Sequence, residues 1–318
     1  MRRIFFLFFA LAALAGAVLA LIGRLIARRE NVDWRDASLP GKIADIDGVG
    51  IHYIDQGHGP AVVLVHGFGG HTFSFRHTIS ALATDHRVVA VDLMGFGYSE
   101  RPANADYSLT AQATRVLRLM DALGIDSAVA LGHSMGGEVV MRMAALAPER
   151  VEKLILVASV SSDRLPSLPA TPLLKPFLPA LARLTSHLLL RRSVYDRTFI
   201  TPEMREGYLA PMRIRGSRDG LYQMLRDGRK DKKVDFSRIT QPVLLLSAAA
   251  EKIVPGFALA RIRSRLPQAE VVVIENAGHL LLEEQPDACN AAILHFLTPH
   301  VDAPETETEA IDGGRVPA

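Results

Sequence analysis

Short apolar runs alternate with longer segments whose apolar positions fall three and four apart through most of this chain. The runs 61–65, 87–91, 128–131, 153–158, 243–246 and 271–274 are rich in Val, Ile and Leu and show little alternation with polar residues. Strands of that kind are buried on both faces, which predicts a mostly parallel sheet. Segments 109–123, 138–146 and 255–266 carry the 3.6-residue period of amphipathic helices. Their interleaving with the strands predicts an α/β fold with helices on both faces of the sheet, and places any chemistry at the carboxyl ends of the strands.

Three stretches break the pattern. Between residues 160 and 235 there is a proline-rich apolar part and then helix-like pieces, with 15 Lys and Arg against 8 Asp and Glu. That stretch reads as an inserted helical cap over the site, its charges either a solvated face or a surface for anionic lipid. At the other end of the charge scale, residues 299–318 are acidic and poor in apolar groups, the composition of a disordered tail. At the amino end, Ile4 to Gly23 is uncharged and flanked by arginines, about the length that crosses a bilayer core as a helix. It is expected to be a single-pass membrane anchor within residues 1–30, contacting membrane lipid. The alternative is a signal peptide cleaved near Ala15 or Ala17, giving a secreted protein. Residues 31–43 then read as a linker, and 44–159 with 236–298 as the core.

Overall charge changes the picture little. A net charge of +2 over 318 residues argues against nucleic acid as the main partner, and the single cysteine, Cys289, permits no internal disulfide. No metal or organic cofactor is implied.

The chemistry concentrates at Ser134, in Gly132-His133-Ser134-Met135-Gly136-Gly137, directly after one predicted strand and before a predicted helix. A G-x-S-x-G run in that context exposes the serine on a sharp turn, and glycines on either side let strand and helix backbones approach. A serine hydroxyl is a weak nucleophile at neutral pH and needs a base that is itself oriented by an acid. His279, after the last predicted strand, is the candidate base. The loop after the strand 243–246 offers Glu251 as the acid, with Asp163, after the strand 153–158, as the alternative. Oxyanion donors are expected from the backbone N–H of Met135 and of Phe68, in the turn His66-Gly67-Phe68-Gly69-Gly70. His66 reads as a buried brace of that turn.

These runs, together with Asp92-Leu93-Met94-Gly95-Phe96-Gly97-Tyr98-Ser99 and Gly278-His279 followed by Glu284-Gln285-Pro286, resemble the α/β-hydrolase fold superfamily over residues 44–298. The resemblance implies a serine-nucleophile member akin to carboxylesterases and monoacylglycerol lipases, acting on a small-molecule ester. Aspartate-nucleophile dehalogenases and epoxide hydrolases are a poorer match because of Ser134. Carbon–carbon bond hydrolases of vinylogous diketone acids are a further alternative, with Arg191 or Arg192 to hold the substrate carboxylate, as is a ligand-binding protein that has kept the triad. The acid loop departs from the family, with Ser247-Ala248 in place of the usual Trp-Gly and a glutamate where relatives usually have aspartate.

Overall fold

In a computed structural model the described residues are 30–37, 40–160 and 188–298, with scattered positions before residue 30. Eight strands form one sheet: β1 (Lys42–Ile46), β2 (Val49–Gln56), β3 (Ala61–Val65), β4 (Arg87–Val91), β5 (Ala128–His133), β6 (Val151–Val157), β7 (Val243–Ala248) and β8 (Glu270–Ile274). Their order is β1-β2-β4-β3-β5-β6-β7-β8. The β1–β2 and β2–β4 pairs are antiparallel and the remaining pairs parallel. The sheet is therefore the mostly parallel one that the strand–helix alternation predicts, with an antiparallel hairpin added at one edge. The hairpin turns at Asp47-Gly48, whose φ values of 56° and 76° are those of a two-residue hairpin turn with both central residues left-handed.

Helices cover both faces because the central strands have no polar side. Along β3, Val62 and Leu64 pack with Ile79 and Leu82 of α1 (Arg76–Leu82) and Ile293 of α8 (Pro286–Leu297). Val63 and Val65 point the other way, toward Val116 and Met120 of α2 (Leu109–Ala122) and Val139 and Met143 of α3 (Met135–Leu146), on the face that α6 (Gly256–Arg265) also covers through Ile262. All four β3 side chains are fully buried, each contributing about 1.5–3 kcal/mol of apolar burial.

The strand order fixes where a site can form. β3 has β4 on one side and β5 on the other, with Val65 opposite Gly132 at the carboxyl end. The chain direction across the sheet reverses there, so the loops leaving β3 and β5 diverge and open a crevice between them. Between β6 and β7 the described insertion includes α4 (Pro202–Leu209) and α5 (Ser217–Asp227). It bonds to loops that follow β3, β4 and β8: His71 Nε2 to Gly207 O at 2.9 Å, Tyr107 N–H to Asp227 at 3.1 Å, and Leu280 N–H to Ser193 O at 3.0 Å. These loops all leave the same edge of the sheet, so the insertion lies over the carboxyl ends of the strands.

The stretch expected to be a linker is strapped to that insertion. Val32 N–H donates to Arg213 O at 3.1 Å, and Arg215 N–H donates to Val32 O at 2.9 Å. Trp34 lies so close to Gly50 that a Cβ there would come within 2.2 Å of its ring. The membrane anchor, by contrast, is overturned. Among the described residues no helix is long and apolar enough to cross a membrane. A bilayer core of about 30 Å needs about 20 residues rising 1.5 Å each. The described part of the apolar run supplies only helical positions 14, 16–18 and 21–23, its other positions lying outside the described residues. The membrane location, the lipid contact through that helix and the alternative of secretion after cleavage, which rests on the same stretch, are not retained. Asp163 and the tail 299–318 also lie outside the described residues.

Candidate active site

Ser134 sits between β5 and α3 with φ 53° and ψ −115°. A non-glycine residue in such a region costs about 1–3 kcal/mol and persists only where its surroundings hold it. Here they do: Ser134 N–H donates to Val157 O at 2.8 Å, and its own carbonyl accepts from Gly137 at 3.1 Å and Val160 at 3.3 Å. The flanking glycines leave no room for side chains. A Cβ on Gly132 would meet Gly136 O at 2.3 Å, and one on Gly136 would meet Val65 O at 2.1 Å. The turn therefore presents the serine at the amino end of a twelve-residue helix, where unpaired N–H groups and the helix dipole favour negative charge.

Beside it lies an imidazole with an oriented carboxylate. His279 Nδ1–H donates to Glu251 Oε2 at 2.7 Å, and both side chains are largely buried. Glu251 Oε1 accepts from the backbone N–H of Ile253 at 2.6 Å and of Val254 at 3.0 Å. Burial pushes this carboxyl up, but the His279 hydrogen bond and charge and the two backbone donors outweigh it, leaving the pKa below its ordinary value. The loops carrying acid and base are themselves joined, Ala250 N–H to Ala277 O at 3.1 Å. His279 is held near the serine by His133, whose Nε2–H donates to His279 O at 2.9 Å and whose ring centroid lies 4.8 Å from that of His279. Burial and the neighbouring His279 pull His133 down to about 3, so it is neutral at physiological pH. Among the described residues Ser134 Oγ makes no hydrogen bond to His279 Nε2. Such bonds are often long or poorly aligned before substrate binds and tighten only in the complex.

The loop after β3 faces this pair across the crevice. Met135 N–H, at the first position of α3, has no partner within the helix. Phe68 follows Gly67, where a Cβ would lie 3.0 Å from Ser134 Cβ, and its ring is half exposed against Phe96. His66 is fully buried, and its Nε2 accepts from Leu93 N–H at 3.0 Å, so Nδ1 carries the proton and donates to Gly67 O at 2.7 Å. Burial pulls its pKa to about 4.

Sequence reasoning gave Asp92 no role of its own, yet it ties β2 to the loops that follow β3 and β4. Fully buried, it accepts from Thr72 N–H at 2.7 Å, Tyr98 N–H at 2.8 Å and His52 Nδ1 at 2.8 Å. Burial pushes its carboxyl up, but these bonds and the nearby histidines hold it well below the usual carboxylate range. Gly97 is glycine because a Cβ there would lie 2.1 Å from the Asp92 carboxylate. The signal was present as an aspartate directly after a buried strand, followed by Gly95 and Gly97. Arg191 and Arg192 are exposed on the insertion. A cavity of about 620 Å³ is lined by Phe73, Arg76, Tyr195, Phe199 and Glu284 among others. Neither Ser134, His279 nor Glu251 lines it, so we do not assign it to the reacting substrate. Among the described residues no group of three metal-ligating side chains is found.

Known proteins share this architecture. The family model described as "alpha/beta hydrolase fold" matches residues 60–286. Over 279 residues the chain is 28% identical to an uncharacterized hydrolase of Bacillus subtilis, covering 82% of this chain and 99% of that one. Among solved structures, a meta-cleavage product hydrolase from Pseudomonas fluorescens superposes with a TM-score of 0.68 at 26% identity, over 81% of this chain and 97% of that chain. A membrane phospholipase A described as a bacterial virulence factor gives the same TM-score and identity over 93% and 98%. The chain belongs to the α/β-hydrolase fold family, and it is a hydrolase.

Proposed function

We propose that this hydrolase cleaves carboxylic esters through an acyl-enzyme, with Ser134 as nucleophile, His279 as base and Glu251 as the acid that orients it. The observation that carries the reading is the 2.7 Å bond from His279 Nδ1–H to Glu251 beside a serine held at φ 53°. That bond leaves Nε2 unprotonated and free to accept the Ser134 proton as Oγ attacks the ester carbonyl. The oxyanion that forms is received by the N–H groups of Met135 and Phe68, each such donor contributing about 3–4 kcal/mol in other serine enzymes. The imidazolium, stabilised by Glu251, returns its proton to the departing alcohol. Water, deprotonated by the same nitrogen, then attacks the acyl-enzyme, the acyl–Oγ bond breaks, and the imidazolium returns the proton to Ser134 Oγ as the carboxylic acid leaves.

Apolar acyl groups are the favoured substrates. The half-exposed Phe68 ring beside the serine offers them a surface, and the likeness to a phospholipase A is in keeping with that class. A series of p-nitrophenyl esters from acetyl to palmitoyl tests both points, with Ser134→Ala as control. Turnover lost in the control and rising beyond acetyl is the expected result; turnover confined to acetyl removes the apolar preference.

Likeness to a meta-cleavage product hydrolase favours one second reading, carbon–carbon cleavage of a vinylogous diketone acid. It would call on Arg191 or Arg192 for the substrate carboxylate. Turnover of such an acid, lost on replacing either arginine, together with inactivity on every ester, would establish it in place of the first.

A further inference from the structure

The segment Glu284-Gln285-Pro286 takes no part in the chemistry above, yet the short helix α7 (Leu281–Glu284) that ends in it starts two residues after the base. Its last two residues are carboxylates that reach different parts of the insertion. Glu284 Oε2 accepts from Gly278 N–H at 2.8 Å, next to His279, while Oε1 accepts from the insertion at Tyr195 N–H, 2.6 Å, and Asp196 N–H, 3.2 Å. One side chain therefore joins the base loop to the segment lying on it. The fit is close: a Cβ on Gly278 would meet Ser193 O at 2.7 Å and Tyr195 N at 2.8 Å, and Leu280 N–H donates to Ser193 O at 3.0 Å.

Glu283 makes a second latch from the other side. It is buried, Arg76 of α1 donates to its Oε2 at 2.5 Å, and the hydroxyl of Tyr208, on α4 of the insertion, donates to its Oε1. Ser74 in turn hydrogen-bonds the Tyr208 hydroxyl at 3.0 Å. Burial pushes the Glu283 carboxyl up, against the opposing pull of Arg76 and Tyr208. The partners of these two carboxylates thus lie on the insertion, on α1 and in the base loop, so the last two residues of α7 tie the insertion to the segment that carries the base.

We propose that Glu283 and Glu284 are positioning residues that couple the seating of the insertion to the placement of His279. When Tyr195, Asp196 and Tyr208 are seated, α7 is held through both of its last two residues and Gly278-His279 is fixed against Glu251 and His133. When the insertion lifts, the base loop loses its ties to the insertion, so full activity requires the insertion to be closed over the site. This rests on His279 being the base; the mechanical coupling itself does not depend on what the substrate is.

The test uses the full chain and the variants Glu284→Ala, Glu284→Gln and Tyr208→Phe, the Gln change serving if Ala fails to fold. Amide hydrogen exchange over residues 277–281 reads the coupling without any need for activity. Tyr208→Phe touches neither Gly278 nor His279, yet it is expected to speed exchange there about tenfold, and Glu284→Ala by at least as much. On an ester, Glu284→Ala should lower kcat about 100-fold per folded molecule with KM nearly unchanged, because a base misplaced by about 1 Å costs that order. Glu284→Gln, which keeps an acceptor on one arm only, should fall between. Unchanged exchange over 277–281 in both Glu284→Ala and Tyr208→Phe overturns the proposal. So does a lowered melting temperature with wild-type kcat, the mark of a merely structural role. A wild-type protein inert on all esters would refute the ester reading and leave the exchange experiment to decide the coupling alone.

Discussion

Replacing Glu251 by glutamine keeps its shape and changes one property, the direction in which it can hydrogen-bond. Two backbone N–H groups, of Ile253 at 2.6 Å and Val254 at 3.0 Å, fix Oε1 as an acceptor. The glutamine carbonyl must take that place, which turns the amide NH2 toward His279 Nδ1. An imidazole facing a donor at Nδ1 carries its proton on Nε2, where it cannot take the proton of Ser134. Restoring the working tautomer means flipping the amide against two N–H groups, at about 1–3 kcal/mol for each donor left unmet, or about 2–6 kcal/mol in all. At about 1.4 kcal/mol per decade this is about 30-fold to about 10⁴-fold in rate. Loss of the carboxylate that stabilises the imidazolium drives the result to the upper end, in line with the about 10⁴-fold effect of the same acid-to-amide change in a Ser-His-Asp triad. Steady-state kcat on a p-nitrophenyl ester, with thermal denaturation to show that the fold survives, makes the measurement. A variant keeping more than a tenth of wild-type kcat would refute the assignment, and Asp163→Asn would then be the variant to examine.

The elbow glycines give a stability prediction: Gly136→Ala forces a Cβ onto Val65 O and His66 O, backbone that cannot rotate away. Chemical denaturation should show a loss of about 3 kcal/mol or more. Asp92→Asn should cost about 1–3 kcal/mol at pH 7 for each buried donor left unmet when its charged acceptor is lost. Because the folded Asp92 carboxyl is held low, its contribution is fully present above the unfolded pKa of about 3.9 and is lost as pH falls below it. The gap between variant and wild type should therefore narrow in acid. His66 and His133, held near 4 and 3 against an ordinary 6.5, act in a higher window. Below pH 6.5 the unfolded chain takes up protons that the folded one refuses, so stability should fall by about 1.4 kcal/mol per pH unit for each histidine down to its folded value. A flat pH 6–4.5 profile in wild type would contradict their burial as neutral rings.

What was legible in the sequence follows from how local the cause is. The parallel strands could be read because each is a continuous apolar run, and the elbow because Gly132, Ser134 and Gly136 lie within five residues. The β1–β2 hairpin was missed although Asp47-Gly48 announces its turn, since the strands on either side mix charged and apolar residues. Glu251, the proposed acid, stands out by its place after β7, but its two backbone donors do not, because they depend on how residues 251–254 curl back. Least visible were contacts between distant segments: His52 with Asp92, or Glu284 with Gly278 and Tyr195. The apolar run at residues 4–23 was read as an anchor from its length and composition alone, whereas among the described residues no helix is long and apolar enough to cross a membrane.

The most direct test of the central claim is mass-spectrometric mapping of the fluorophosphonate adduct on wild type, Ser134→Ala and His279→Gln. A single adduct on the peptide containing Ser134, absent from Ser134→Ala and strongly slowed in His279→Gln, is the predicted result. No adduct on wild type, or one elsewhere that survives Ser134→Ala, would contradict the assignment of Ser134 as an activated nucleophile.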